Sequence, residues 1–412
     1  MSRSIEIIPE IRDEIVKAGA SDIFKCYQCG KCFSACPWYH VEKIEFPNYR
    51  FPQAAKLGTI GSSEDKDDIA KEVKEIFLCV GCESCAVECP RGVGIQDVVL
   101  GVRRIFNDYG TLPQELKDAG AKIQSTGNPL GVPAEKRAKW SNELGVKPFT
   151  KETEYLYFSC CLPAYDTRLR EVAASSAKIL QKAGFSFGTL GAKESCCGEA
   201  IRRVGSEKVF NATSKANISA FTEAGVKKVI AASPHCYTSF KNEYKELGID
   251  LDVSHQVQVF AQLIDEGKLD LKQEVKKKVV YHDPCTLGRQ NEVYDEPRKV
   301  LSSIPGLELL EVENFNRKYS LCCGGGGGGL WLDVPNEERL TNVRTQQLAD
   351  TGAEVIAVAC PYCLQMFEDS VKVMNLNIEV KDISELLLEA MGEKVKKEEE
   401  KKEEGNTEGH GG

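Results

Sequence analysis

No apolar run in this chain approaches the ~18 residues that a bilayer span requires, so contact with a membrane would have to pass through a partner. An apolar secretion signal is missing as well. Met1 to Ala20 is polar, which argues against export and against a framework of disulfides, and the expected compartment is the cytoplasm. Positive charge is in deficit: the net charge is −9, and nucleic acid, whose phosphates want a basic face, is excluded as a partner. No dinucleotide fingerprint occurs. The one long glycine run, Gly324 to Gly329, lacks the Lys-Ser/Thr ending of a phosphate loop.

What the chain does have is cysteine, 18 among 412 residues, in groups of eight, five and five. Grouped cysteines in a reducing compartment mean metal. The first group reads Cys26-x-x-Cys29-x-x-Cys32-x-x-x-Cys36-Pro37 and then Cys79-x-x-Cys82-x-x-Cys85-x-x-x-Cys89-Pro90. Three cysteines at i, i+3 and i+6 wrap one [4Fe–4S] cubane, while the fourth reaches over to the other cube. This spacing predicts one cubane on Cys26, Cys29, Cys32 and Cys89 and a second on Cys79, Cys82, Cys85 and Cys36. Zinc sites use two pairs of ligands instead. Ile7, Ile8, Ile11 and Ile15 recur at helical spacing. Val73, Ile76 and Phe77, following Ile69, form a stripe into Cys79, and Ile95, Val98, Val99, Val102, Ile105 and Phe106 form one out of Cys89. Residues 1–110 therefore read as a helical ferredoxin domain, and residues 111–150, rich in Gly, Pro, Lys and Asn, as an irregular connector anchored by Trp140.

The remaining cysteines belong to a repeat. In residues 151–270 an apolar strand from Tyr155 ends at Cys160-Cys161, a pair follows at Cys196-Cys197-Gly198, and a buried strand runs into Ser233-Pro234-His235-Cys236. In residues 271–392, Val279-Val280-Tyr281 leads to Cys285, the pair is Cys322-Cys323-Gly324, and Val355 to Ala359 leads to Cys360-Pro361-Tyr362-Cys363. Corresponding cysteines are offset by 124, 126 and 127 residues, which indicates a duplicated α/β unit with ligands at strand ends. Adjacent cysteines rarely bond to each other but can both reach one cluster. Glycines after the pair let backbone amides approach inorganic sulfur. The fold class expected is α+β multidomain: an α-helical ferredoxin-like domain followed by two α/β cysteine-rich units. The Lys/Glu-rich tail, 393–412, cannot bury a core and reads as disordered.

Across residues 20 to 390 this arrangement resembles the heterodisulfide reductase D-type proteins, in which a ferredoxin part is joined to two cysteine-rich "CCG" domains. The resemblance implies a non-cubane [4Fe–4S] cluster on Cys285, Cys322, Cys323, Cys360 and Cys363, which would be the catalytic centre. The first unit departs from the pattern, with Ser233 where a cysteine is wanted. Cys161, Cys196, Cys197 and Cys236 match, and Cys160 is an extra neighbour, a candidate substitute although it sits on a different loop; the site would carry a further iron–sulfur cluster, a zinc or nothing. The implied activity is reduction of a disulfide, or oxidation of thiols, of a coenzyme or a cysteine-bearing protein. The implied partner is a membrane cytochrome b-type or other redox subunit at the inner membrane face. The alternative is a purely electron-transferring subunit of a quinone- or flavoprotein-linked dehydrogenase complex. His282 and Asp283 stand close enough to Cys285 to exchange a proton with it. His235 is placed to pack or to hydrogen-bond cluster sulfur. Arg202, Arg203 and Arg289 are candidates for steering an anionic substrate.

Overall fold

The computed structural model describes residues 9–42 and 66–393. Of the expected isoleucine stripe, Ile7 and Ile8 lie outside the described residues, as does the tail beyond residue 393; Ile15 is buried within the Pro9–Lys17 helix. No strand occurs among the described residues before Tyr155, so the ferredoxin part is helical. Its spine is the Ile95–Asp108 helix, which buries Ile95, Val98, Val99, Val102 and Phe106 on one stripe. The Pro9–Lys17 and Lys66–Leu78 helices pack against it.

The segment expected to be an irregular connector is instead largely helical. Gln114–Thr126 is a helix that buries Leu116, Ala119, Gly120 and Ile123, and Lys139–Glu143 is a short one. Four residues at helical spacing outweigh the Gly/Pro-rich stretch that follows them. Trp140 is buried and meets Tyr157 edge to face at 5.8 Å, so it anchors this segment to the first sheet.

Each repeat is a four-stranded parallel sheet. In the first, β1 (Tyr155–Phe158), β2 (Phe187–Gly188), β3 (Lys228–Ala231) and β4 (Asp252–His255) lie in the order β2-β1-β3-β4. In the second, β5 (Lys278–Tyr281), β6 (Glu308–Leu310), β7 (Val355–Val358) and β8 (Glu379–Asp382) lie in the order β6-β5-β7-β8. The central strands are apolar because helices cover both faces of a parallel sheet, β7 throughout and β3 beyond its first residue, Lys228. In each sheet the chain moves outward one way from its first strand and then returns to the other side. The crevice at that reversal, beyond the carboxyl ends of β1 and β3 or of β5 and β7, is where parallel sheets place their sites.

The two sheets meet with pseudo-two-fold symmetry. The Arg170–Lys182 helix, between β1 and β2, packs against Ile383–Ala390, which follows β8. Reciprocally, Asp295–Ser302, between β5 and β6, packs against Gln256–Asp265, which follows β4. Like helices thus exchange partners across the junction, as in an isologous interface between two subunits.

Candidate metal centres

The loops carrying the ferredoxin cysteines share one backbone design. Gln28 and Gly30 in the first, Gly81 and Glu83 in the second, adopt positive φ between 61° and 77°. The turn aims an amide back at sulfur: Gln28 N donates to Cys26 Sγ at 3.4 Å, and the Gly81 amide does the same for Cys79. Burial first, then Cys26, Cys29 and Cys89, push Cys32 up to about 11. Burial, then Cys82, Cys79 and also Cys32, hold Cys36 and Cys85 well above the usual thiol range. The first set is the more open, with Cys29 exposed, whereas Cys36 and Cys82 are buried.

In the second repeat the five cysteines converge at the crevice between β5 and β7. Cys285 Sγ lies 3.8 Å from Cys322 Sγ, Cys363 Sγ donates to Cys323 Sγ at 3.2 Å, and Cys360 is hydrogen-bonded to Cys363. Cys322 also contacts Cys82, a ferredoxin cysteine 240 positions earlier in the chain. A ring nitrogen of His282 and the sulfurs of Cys323 and Cys363 lie within 4.8 Å of one another. Arg344 Nε donates to His282 Nδ1 at 3.4 Å, and because a guanidinium only donates, the ring proton sits on Nε2. Burial lowers the pKa of His282, so its imidazole is neutral near pH 7. Asp283, by contrast, is clamped by Arg298 at 2.7 and 2.8 Å and by the Arg317 amide.

The glycine run does more than approach sulfur. Gly324 N donates to Cys322 Sγ at 3.4 Å, but Gly326 and Gly327 press on the ferredoxin loop, where an added Cβ would meet Val80 O at 2.5 Å and Cys79 O at 2.6 Å. Arg103, buried in the ferredoxin spine, locks the junction by donating to Cys79 O at 2.6 Å and Gly327 O at 2.8 Å. The run is therefore a seat on which the inner ferredoxin loop rests. The three arginines offered as anion guides are otherwise engaged. Arg289 donates to the carbonyls of Cys82, Lys318 and Ser320, while Arg202 and Arg203 pair with Glu199, Glu207, Glu243 and Glu246.

In the first repeat Cys161, Cys196, Cys197 and Cys236 converge likewise, and Cys160, although on the loop after β1 and not on the one after β3 that carries Ser233, joins them against Cys236. Arg137, buried and paired with Glu194 at 2.9 Å, brings a guanidinium nitrogen to 3.8 Å from Cys161 Sγ. His235 crosses to the other site: its Nδ1 meets Glu199 Oε2 at 2.7 Å and its ring contacts Cys360. Tyr362, the residue equivalent to His235, stacks on it at 4.3 Å and faces Cys160, Cys196 and Cys197. Arg137, Glu199 and Arg103 had no motif to betray them. Each becomes visible only when the chain closes on itself.

Two family patterns match these same segments: "Cysteine-rich domain" (CCG) over residues 155–241 and 279–368, and "4Fe-4S dicluster domain" over residues 22–93. The chain belongs to the CCG-domain iron–sulfur proteins. A relative named probable iron-sulfur-binding oxidoreductase in Bacillus subtilis is 31% identical, over 90% of this CCG-domain protein and 60% of its own length. An EtfAB:quinone oxidoreductase of Syntrophomonas wolfei is 33% identical over 90% and 58%. A component of the dihydromethanophenazine:CoB–CoM heterodisulfide reductase of Methanosarcina barkeri is 29% identical over 89% and 93%. The chain thus spans about three fifths of the first two relatives. It is related to all three, with no helix among the described residues long and apolar enough to cross a membrane.

Proposed function

We propose that this CCG-domain protein is the iron–sulfur core of a larger redox complex, carrying electrons from two ferredoxin cubanes to the second CCG centre, where a disulfide is reduced or thiols are oxidised. The observation that carries the reading is the contact between Cys82 and Cys322, the first expected to hold the inner ferredoxin cluster and the second expected to hold the CCG centre. Iron–sulfur groups held on these thiolates supply one-electron transfer. The chain supplies the rest. Converting R–S–S–R′ to two thiols consumes two electrons and two protons, and His235, bridged to Glu199, is placed to hold a proton beside Cys360. His282, neutral and against Cys323, is a positioning group for that sulfur. Electrons enter at the open end, where Cys29 is exposed and neighbouring Tyr27 is 60% exposed, from a cytochrome b-type or other redox subunit. A coenzyme or a cysteine-bearing protein is the sulfur substrate.

A second reading, relay without sulfur chemistry in a quinone- or flavoprotein-linked complex, is favoured by burial: Cys285, the most open of the five ligands, is only 8% exposed. Electron paramagnetic resonance of the oxidised, anaerobic protein before and after adding a thiol or a disulfide decides between them. A new or shifted signal that disappears in Cys323→Ser supports sulfur chemistry. A spectrum indifferent to both additions would overturn it in favour of the relay.

A further inference from the structure

Five thiols surround the first CCG site, and their contacts repeat those of the second site in order. In the second repeat the sulfurs meet in the succession Cys285, Cys322, Cys323, Cys363, Cys360. In the first the succession is Cys161, Cys196, Cys197, Cys236, Cys160. Four members correspond position for position. The fifth does not: the counterpart of Cys360 is Ser233, fully buried, with a hydroxyl that finds no hydrogen-bond partner. Cys160, at the end of the neighbouring strand β1, stands beside Cys236 where Cys360 stands beside Cys363.

The backbone shows how the thiol gets there. Cys160 has φ 71° and ψ 166°, a conformation that residues with a side chain rarely adopt and that persists only where the surroundings impose it. The equivalent residue of the second repeat is Pro284, whose ring holds φ near −65°, so that strand end cannot make this turn. The repeat that keeps its strand-end cysteine on β7 has a locked strand end on β5. The repeat that lost the cysteine after β3 has a strand end on β1 turned over to deliver another.

We propose that the first CCG centre is a five-thiolate iron–sulfur site in which Cys160 takes the ligand position left by Ser233. The site suits a cluster held by thiolates. Gly198 N donates to Cys196 Sγ at 3.4 Å, matching the Gly324–Cys322 bond of the second site, and Arg137 brings positive charge to Cys161. A structural zinc takes four thiolates in a tetrahedron and has no use for a fifth sulfur on a strained backbone. The assignment holds whether the second centre reduces disulfides or only relays electrons.

The decisive variant is Cys160→Gly, since glycine accepts a positive φ without strain and removes only the thiol. Iron, zinc and acid-labile sulfide per chain, with paramagnetic resonance and magnetic circular dichroism, are measured on anaerobically purified full chain. The second-centre signal is identified beforehand through Cys323→Ser. Cys160→Gly is expected to abolish or alter the signal of the first centre, with a loss of up to about four irons, and to leave the ferredoxin and second-centre signals in place. Adding Ser233→Cys to it is expected to restore the original signal, while Ser233→Cys alone in the parent chain adds no iron. Cys160→Ser, which keeps the side-chain size, gives the same readout where the glycine variant fails to accumulate. Wild-type iron content and spectra in Cys160→Gly, or one zinc per chain at the first site, would overturn the proposal.

Discussion

A single methyl group tests how closely the ferredoxin part sits on the second CCG unit. Gly327 has φ 59°, and a Cβ there would lie 2.6 Å from Cys79 O with the Val80 backbone close behind, so either the loop or the glycine seat must shift. Gly327→Ala should cost roughly 1–3 kcal/mol, as overpacking a tight contact does, and should slow electron passage from the ferredoxin clusters to the CCG centre. Anaerobic denaturant unfolding and rapid-mixing reduction read the two effects. Gly248 is the control: its φ is 91° but no atom lies within 4 Å of an added Cβ, so Gly248→Ala carries backbone strain alone and should leave reduction rates unchanged. Unaltered reduction in Gly327→Ala would show that the seat does not set the electron path. Arg103 makes the same junction from the other side, through four carbonyl acceptors on Ile76, Cys79, Arg203 and Gly327. Lysine cannot reproduce that planar fork, and Arg103→Lys should weaken cluster-to-cluster transfer as a deletion would.

Among the elements, the Ile383–Ala390 helix begins on a charge that the interior resists. Asp382 caps it, accepting from Ser384 N at 2.9 Å, yet its other oxygen is buried without a partner and burial raises its pKa to about 7. Between the ordinary carboxylate value and about 7 the unfolded chain has released this proton while the folded chain retains it. Stability therefore falls as pH rises through that window, and the full penalty stands above it. Asp382→Asn keeps the capping acceptor without the charge. It should raise the melting temperature at pH 8 by several degrees and change it little near pH 4; an equal shift at both values would mean that the carboxyl is already ionised in the fold.

The same scale shows what the sequence could disclose. β1, β3, β5 and β7 are legible because a strand covered on both faces must be apolar, as all four are beyond the lysines that open β3 and β5, and all four run into the cysteine motifs. β2 and β6 are two and three residues long, and β4 and β8 carry charged or half-exposed residues, so no local pattern marks them. The Gln114–Thr126 helix was hidden by the Gly-Asn-Pro stretch beyond it. At the sites, cysteine spacing is a local property and could be read directly. The Cys82–Cys322 contact, the crossing of His235 to Cys360 and the turn that brings Cys160 to Cys236 depend on chain closure, and only the last leaves a trace in the sequence, as the unexpected Cys160-Cys161 pair.

At the level of the whole molecule, the two CCG units are coupled through their pseudo-two-fold junction, with His235 and Tyr362 stacked at its centre, so any loosening there would reach both sites. Arg168 is the polar fastener at the edge of that junction. It comes from the first unit and pairs with Glu368 and Glu385 of the second, donating also to Val380 O at 3.1 Å. Burial holds the pKa of Glu385 above the ordinary range, and Arg168 is what restrains the rise. In Arg168→Ala that carboxyl loses its counter-charge and shifts further up. The folded state then prefers it protonated, so the penalty is present at pH 8 and fades as pH falls below the unfolded value near 4.5. With the Arg168 side chain 30% exposed, solvent screening limits the loss to roughly 1–3 kcal/mol at pH 8. Adding Glu385→Gln should return part of it by removing the stranded charge. Anaerobic unfolding at pH 8 and pH 5 distinguishes this from simple loss of packing: a penalty of the same size at both pH values would show that the apolar helix pairs, and not this ion pair, hold the two cluster sites in register.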